Sequence, residues 1–356
     1  VSLVDTLAWL VDIPSVTGDE AAIADAVEAR LAAGPRPVTR RGNTLVVGDD
    51  ADRRRRLLLV GHLDTVPSQG QGPARVEGGR LWGLGAADMK AGLAVMIHLL
   101  EDEELLDTEI GLVGVFYEGE EGPAAGNSLG PTLEAFPWLT DAWFAVVLEP
   151  SDAEVQVGCN GAMNVRVVFR GSSAHSARPW LGENAITKAG SWLARMHRLE
   201  PREVDLGGLV YREVMSVTRA RGGIATNIIP AEFTLNLNYR FTPDRTIVEA
   251  ERRVREVCAA ADEVEIVDVA PAGPVEVDHP FVRTLVEVSN APLTAKQGWT
   301  DVARLGAYGV PAVNYGPGET ARAHQVAESV EVVAVEEAFR HLRAAILHGA
   351  RSTQSS

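Results

Sequence analysis

The stretch VFYEGEEGPAAG, residues 115–126, runs from apolar residues straight into Glu118, Glu120 and Glu121. Carboxylates packed this closely repel one another and raise each other's pKa, so such a turn either lies in solvent or surrounds a cation. Other segments offer matching chemistry. GHLDTVP sets His62 and Asp64 two residues apart, which in a strand puts both on one side. A metal-bound imidazole usually gives its other N–H to a carboxylate, and Asp64 stands where that partner is needed. GLGAADMKAG holds Asp88 in a glycine-rich loop before a helix, where an aspartate serves as an N-cap or as a metal ligand. LEPSD ends a buried strand on Glu149, and PGETARAHQ carries His324 in a loop. Each signal is weak alone. Together, imidazoles and hard carboxylates suit zinc, with manganese or cobalt as substitutes. Five strong ligands exceed what one catalytic zinc needs; they fit two ions about 3.5–4 Å apart that share one carboxylate. One of the adjacent glutamates then binds metal, and the other can take a proton from a water whose pKa falls to about 7 beside zinc.

These groups act together only if a sheet edge gathers them. In α/β sheets, functional groups collect at the carboxyl ends of strands. RRRRLLLVGHLDTVP, IGLVGVFYEGEEG and AWFAVVLEPS each read as an apolar strand that ends on candidate residues. VTGDEAAIADAVEARL predicts a helix, with Thr17 and Glu20 as a capping box and Ile23, Val27 and Leu31 recurring at i+4. MKAGLAVMIHLL predicts a buried helix from Met89. The alternation predicts an α/β domain with a mixed, mostly parallel sheet flanked by helices. Near residue 162 the texture changes. MNVRVVFRG, EVMSVTRARGG and AEFTLNLNYRF alternate apolar and polar residues, as strands with one open face do. With EVEIVDVA and the helices ENAITKAGSWLARMHRL and TIVEAERRVREVCAAA they predict an α+β domain of four strands and two helices. The expected division is residues 1–162 and 273–356 for the larger domain and 163–272 for the inserted one.

The chain has 356 residues, 46% hydrophobic and 23% charged, with a net charge of −16. That charge argues against nucleic acid or an anionic membrane as partner, and an anionic substrate would need locally placed cations. Cys159 and Cys258 form no CxxC pair, so the expectation is two buried thiols in a reducing, cytoplasmic setting. Asp5 and Asp12 interrupt the apolar N-terminal stretch and no basic region precedes it, so no signal peptide is expected. No run of 18 apolar residues predicts a membrane span. The RSTQSS tail is expected to be disordered.

GHLDTVP, GLGAADMKAG, EGEEG, LEPSD, AHSARP and the late histidine, in this order, resemble the two-zinc amidohydrolases. That family includes aminoacylases, acetylornithine deacetylases, glutamate carboxypeptidases and succinyl-diaminopimelate desuccinylases. AHSARPWLGENAI, GGIATNIIPAEFTLNLNYRF and GWTDVARLGAYGVPAVNYGPG are most similar to the desuccinylases of the actinobacterial kind. The resemblance implies that His62 and Glu149 hold one zinc, that Glu121 and His324 hold the other, and that Asp88 bridges them with a cis peptide after it. It implies Glu120 as general base and later acid, with Asp64 behind His62. Glu118 is left as a solvated or supporting acid.

The inserted domain would be a dimerisation lid. Its His175 would hydrogen-bond the developing oxyanion in the second subunit's site, and Asn227 would help bind substrate. The implied reaction is hydrolysis of N-succinyl-LL-2,6-diaminopimelate to succinate and LL-2,6-diaminopimelate by a hydroxide that two zinc ions activate. Another N-acyl-amino-acid deacylase of the family is the alternative, and a non-catalytic dimeric binding relative is the reading from a different class. A substrate with three carboxylates needs cations. Arg178, Arg240 and Arg322 lie in or beside the motifs, each as a bidentate carboxylate contact or as a plain surface charge. Thr300 in GWTD could add a hydroxyl donor. VQVGCNGAMNV offers no cation before Arg166, where many relatives carry arginine and serine.

Overall fold

The strand Arg55–His62 is buried from Arg56 onward, and a strand that is apolar at successive positions is one covered on both faces. In the computed structural model, which describes residues 1–349, it lies inside an eight-stranded sheet. The order is Val38–Arg41, Thr44–Val47, Ile110–Tyr117, Arg55–His62, Phe144–Pro150, Ala312–Gly316, Val155–Val157 and Leu293–Ala295. The RSTQSS tail falls outside the described residues. The run from Ile110–Tyr117 to Ala312–Gly316 is parallel. Thr44–Val47 and Val155–Val157 join it antiparallel on either side. The sheet is mixed as expected, but "mostly parallel" holds only for its centre. Short marginal strands can pair antiparallel because they need no crossover helix. In the parallel centre His62 pairs with Tyr117 and Val60 with Val147, so His62, the 118–121 turn and Glu149 leave the sheet side by side.

The helix Lys90–Glu101 buries nearly all its residues. A Cβ at Gly92 would stand 2.3 Å from the Leu148 carbonyl oxygen, so the helix lies against the backbone that leads into Glu149. The helix expected from VTGDEAAIADAVEARL spans Ala21–Leu31 and buries Ile23, Val27 and Leu31. Its expected capping box does not form. Glu20 is the N-cap and makes no side-chain cap bond. Its Oε1 accepts the Gly18 N–H at 2.8 Å, while Thr17 donates its hydroxyl to Asp64 Oδ2 at 2.8 Å. A buried charged acceptor outcompetes a helix-end amide. Arg75–Glu77, Arg80–Trp82 and Ser329–Glu331 form a further three-stranded sheet. Pairing of Ser329 with Trp82 carries residue 328 to the loop 83–89.

The chain divides into two units, Val1–Val157 with Glu276–Thr294 and Arg304–Ser356, and Gly158–Val275 with Ala295–Ala303. The second holds an antiparallel sheet in the order Arg202–Leu206, Leu209–Gly222, Glu232–Phe241, Gly161–Arg170 and Glu263–Ala270. It has five strands, not the four expected. The extra one, Arg202–Leu206, forms a hairpin with Leu209–Gly222 through Gly207 and Gly208, whose φ angles are 65° and 83°. A two-residue Gly-Gly connection between alternating segments is a hairpin signal, and DLGGLV contains it. The first expected helix splits into Ala185–Lys188 and Gly190–His197, and the second spans Ile247–Val257. Met163, Val165, Phe169, Trp192, Leu237 and Val254 share one core.

Among the described residues no helix is long and apolar enough to cross a membrane. Alanine normally improves on glycine in a helix by about 1 kcal/mol. At Gly92 overpacking against Leu148 should reverse the sign, so Gly92→Ala is expected to lose about 1–3 kcal/mol. Urea titration would read this as a lowered midpoint with unchanged slope.

Candidate metal centre

His62 closes its strand, buried, with Nε2 3.2 Å from Asp88 Oδ1 and 3.6 Å from Glu149 Oε1. His324 Nε2 lies 2.8 Å from Glu121 Oε1 and 3.4 Å from Asp88 Oδ2. Asp88 thus turns one oxygen to each histidine. Donor atoms of His62, Asp88 and Glu149 lie within 4.8 Å of one another, as do those of Asp88, Glu121 and His324. Two nitrogen–carboxylate sets joined by one aspartate suit a pair of divalent ions in composition and in spacing. His62, Glu120 and Glu121 form a comparable group, so distance alone admits Glu120 as a ligand or as a base. The Asp88–Met89 peptide is cis, as the resemblance implies.

Charge is managed by hydrogen bonds from the main chain. His62 Nδ1 lies 3.0 Å from the Asp64 carbonyl oxygen and 3.4 Å from Asp64 Oδ1. An N–H on Nδ1 leaves Nε2 free for a cation. The buried Asp64 carboxylate accepts the Glu120 N–H at 3.0 Å on Oδ1 and the Glu121 N–H at 3.0 Å on Oδ2, besides the Thr17 hydroxyl. Burial alone would raise this carboxyl; His62 and the donors outweigh it and lower it to about 2. Asp64 therefore holds the glutamate turn as well as the histidine. Glu118 is half-buried, and its Oε1 accepts the Asn43 N–H at 3.2 Å.

Burial would likewise raise Asp88, but bonds from His324 and His62 hold its carboxyl well below the usual range. For His62 burial disfavours the charged form, yet Asp64, Asp88, Glu149 and Glu120 together lift it well above its ordinary value. Hydrogen bonds to Asp88 and then Glu121 raise His324 to about 10. Carboxylates that hold protons on two imidazoles would hold metal cations in their place.

Glu328 was not among the residues expected from sequence. It is buried; its Oε1 accepts the N–H groups of Ala87 at 2.9 Å and Asp88 at 3.0 Å, and its Oε2 that of Gly85 at 3.0 Å. Burial raises its carboxyl. A glutamate in a polar loop reads as solvent-exposed, and no pattern in AHQVAESVEV marks it otherwise. Lys90 is also buried; its Nζ donates to the Ile13 carbonyl at 2.7 Å, and burial lowers it to about 8.

Of the expected substrate-binding residues, Arg322 lies in the first unit, 3.5 Å from Glu319 in an i,i+3 pair, a kind worth little. The others lie in the second unit. His175 Nδ1 accepts the Ala177 N–H at 3.1 Å, which places the proton of a neutral ring on Nε2. The Ser176 N–H donates to the Asn227 carbonyl at 2.9 Å and the Arg178 N–H to the His175 carbonyl at 2.8 Å, so GSSAHSARP and ATNIIP are tied together. Arg240 Nε donates to Asn238 Oδ1 at 3.1 Å, and burial lowers its guanidinium. The buried Thr300 hydroxyl has no hydrogen-bond partner among the described residues. Cys159 and Cys258 are free and buried.

The pattern of Peptidase family M20/M25/M40 matches residues 58–348. The chain is 41% identical to a putative succinyl-diaminopimelate desuccinylase of Mycobacterium tuberculosis over 96% of each chain. It is 36% identical to a succinyl-diaminopimelate desuccinylase of Corynebacterium glutamicum over 91% of this chain and 90% of that one. A tripeptidase structure from Staphylococcus aureus superposes with a TM-score of 0.82 at 22% identity, covering 98% of each chain; that likeness concerns the fold.

Ligand imidazoles must be neutral, whereas the surrounding carboxylates raise both His62 and His324, the latter to about 10. Zinc binding at pH 7 should therefore release protons, and affinity should rise as the pH rises toward about 10, where His324 loses its proton. Calorimetry in buffers of differing ionisation enthalpy reads the release directly; a buffer-independent heat would contradict it.

Proposed function

Since the chain belongs to peptidase family M20/M25/M40, whose members are metal-dependent hydrolases, we propose that it removes the succinyl group from N-succinyl-LL-2,6-diaminopimelate, a step toward diaminopimelate and lysine. The carboxylate shared between two histidine–carboxylate sets, with a further glutamate beside one ligand, carries the proposal of hydrolysis. Identity of 41% along almost the whole chain to the mycobacterial protein supports the choice of substrate.

His62 and Glu149 would hold one zinc, Glu121 and His324 the other, and Asp88 both. Bound zinc polarises an amide carbonyl and acidifies water. Glu120 takes the proton of the attacking water and returns it to the leaving nitrogen, so that the amine departs neutral. Its main chain is pinned to Asp64, which limits where the carboxylate can swing. His175, with its proton on Nε2, donates to the developing oxyanion in the second subunit's site. Arg178, Arg240, Asn227 and Thr300 receive the substrate's polar groups. Thr300 is well suited because a buried hydroxyl without a partner is costly until a ligand meets it. Arg322, already beside Glu319, has less charge to offer. The second unit serves a homodimer, in keeping with exposed Trp180 and Leu181 close after His175 in sequence and exposed Ile224 just before Asn227. Free buried thiols suit a cytoplasmic setting.

With zinc added, kcat/KM for the succinyl substrate should exceed that for N-acetylornithine by on the order of 10²-fold or more, because the acetyl group leaves buried polar groups unpaired. Equal or reversed values in an amine-release assay would retire that substrate in favour of another deacylase. Inactivity across a panel of N-acyl amino acids at full zinc content would favour the binding protein. Glu120→Ala should lower kcat by roughly 10²–10⁴-fold while metal analysis still finds both ions; loss of an ion would make Glu120 a ligand.

A further inference from the structure

We propose that Glu328 is a positioning residue for the metal centre. It touches no substrate and supplies no ligand, but it fixes where the Asp88 carboxylate stands. The inference rests on the hydrolase reading above. The loop before Asp88 has the sequence GLGAA, so it has little side-chain bulk with which to lock itself. What converges instead is its main chain. The N–H groups of Gly85, Ala87 and Asp88 all point to the two oxygens of Glu328. The turn this requires has φ +76° at Gly85, where a Cβ would stand 2.7 Å from Thr65. Asp88 is gripped by its amide on the Glu328 side while its carboxylate reaches His62 and His324.

Glu328 is itself anchored at a second point. Its carbonyl accepts the Gly83 N–H at 3.2 Å, and its N–H donates to the Gln325 carbonyl at 3.1 Å. One residue thus clamps the start and the end of the Asp88 loop and joins it to the segment that carries His324. Three N–H groups, those of Gly85 and Ala87 buried and that of Asp88 partly so, need acceptors, and only a carboxylate offers them on both of its ends. A glutamine would turn its NH₂ toward at least one of these donors. The expected result is a centre that still forms but in which Asp88 no longer faces both histidines equally.

Glu328→Gln, purified as the full chain, is expected to bind zinc about 10–100-fold more weakly than wild type in competition with a chromogenic chelator. The visible spectrum of the cobalt-loaded variant should change, and kcat should fall while KM stays within about twofold. A folded variant with wild-type zinc affinity and cobalt spectrum would overturn the proposal, even if its melting temperature dropped. Glu328→Asp keeps the charge and withdraws it by one methylene, so its affinity should fall between the two; a weaker ion affinity for Asp than for Gln would overturn the idea. If the Gln variant does not accumulate as folded protein, a several-fold loss in the Asp variant supports the proposal and an unchanged affinity ends it. Wild-type protein that binds zinc yet hydrolyses no N-acyl amino acid would sink the hydrolase reading, and the affinity comparison would still decide the role of Glu328.

Discussion

A carboxylate can stay ionised away from water only where donors or cations meet it. This fold draws several such groups into one small volume. Asp64 and Glu328 are met by main-chain amides, those of the glutamate turn and those of the Asp88 loop. Asp88 and Glu121 lie instead against the rings of His62 and His324. The two kinds of acid have different work. The amide-bound pair shapes the loops, and the ring-facing pair is left as a concentration of negative charge. That charge pushes the pKa of both histidines upward.

The sheet supplies what the loops alone cannot, which is parallel delivery. Three neighbouring strands end together because their pairing is parallel and in register. Their apolar runs stop where the side chains must leave the core. The helix Lys90–Glu101 then presses on the Phe144–Pro150 strand closely enough that Gly92 has no room for a side chain. Asp88 and Glu149 are thereby tied to the same rigid contact, one just before the helix and the other just after Leu148.

The His, Asp and Glu residues that the fold gathers were legible as candidates because each ends an apolar run or sits in a loop beside glycines, and because the order of the motifs is itself specific. Other features were written in the sequence but needed the right comparison. DLGGLV encodes the Gly207–Gly208 hairpin, whereas the alternation in EVMSVTRARGG marks only one of its two strands. Thr17 and Glu20 satisfied a local capping pattern, and a distant acceptor, Asp64, took the hydroxyl instead. Nothing marks residues 295–303 as belonging with the second unit. Glu328 was beyond reach for a physical reason. Its partners are backbone amides, which have no side-chain signature, and Asp88 lies 240 positions earlier in the chain.

The first unit is assembled from three separate stretches, with most of the second unit interposed between the first and second and a short piece of it between the second and third. His62, Asp88, Glu121 and Glu149 all precede that interruption, while His324 and Glu328 follow it. On the ribosome the chain emerges N-terminus first, so a nascent polypeptide carries most of the acidic cluster long before its closing histidine and the clamp of the Asp88 loop exist. A cluster that needs residues from both sides of the interruption can close only after the stretch that carries His324 and Glu328 has emerged and docked.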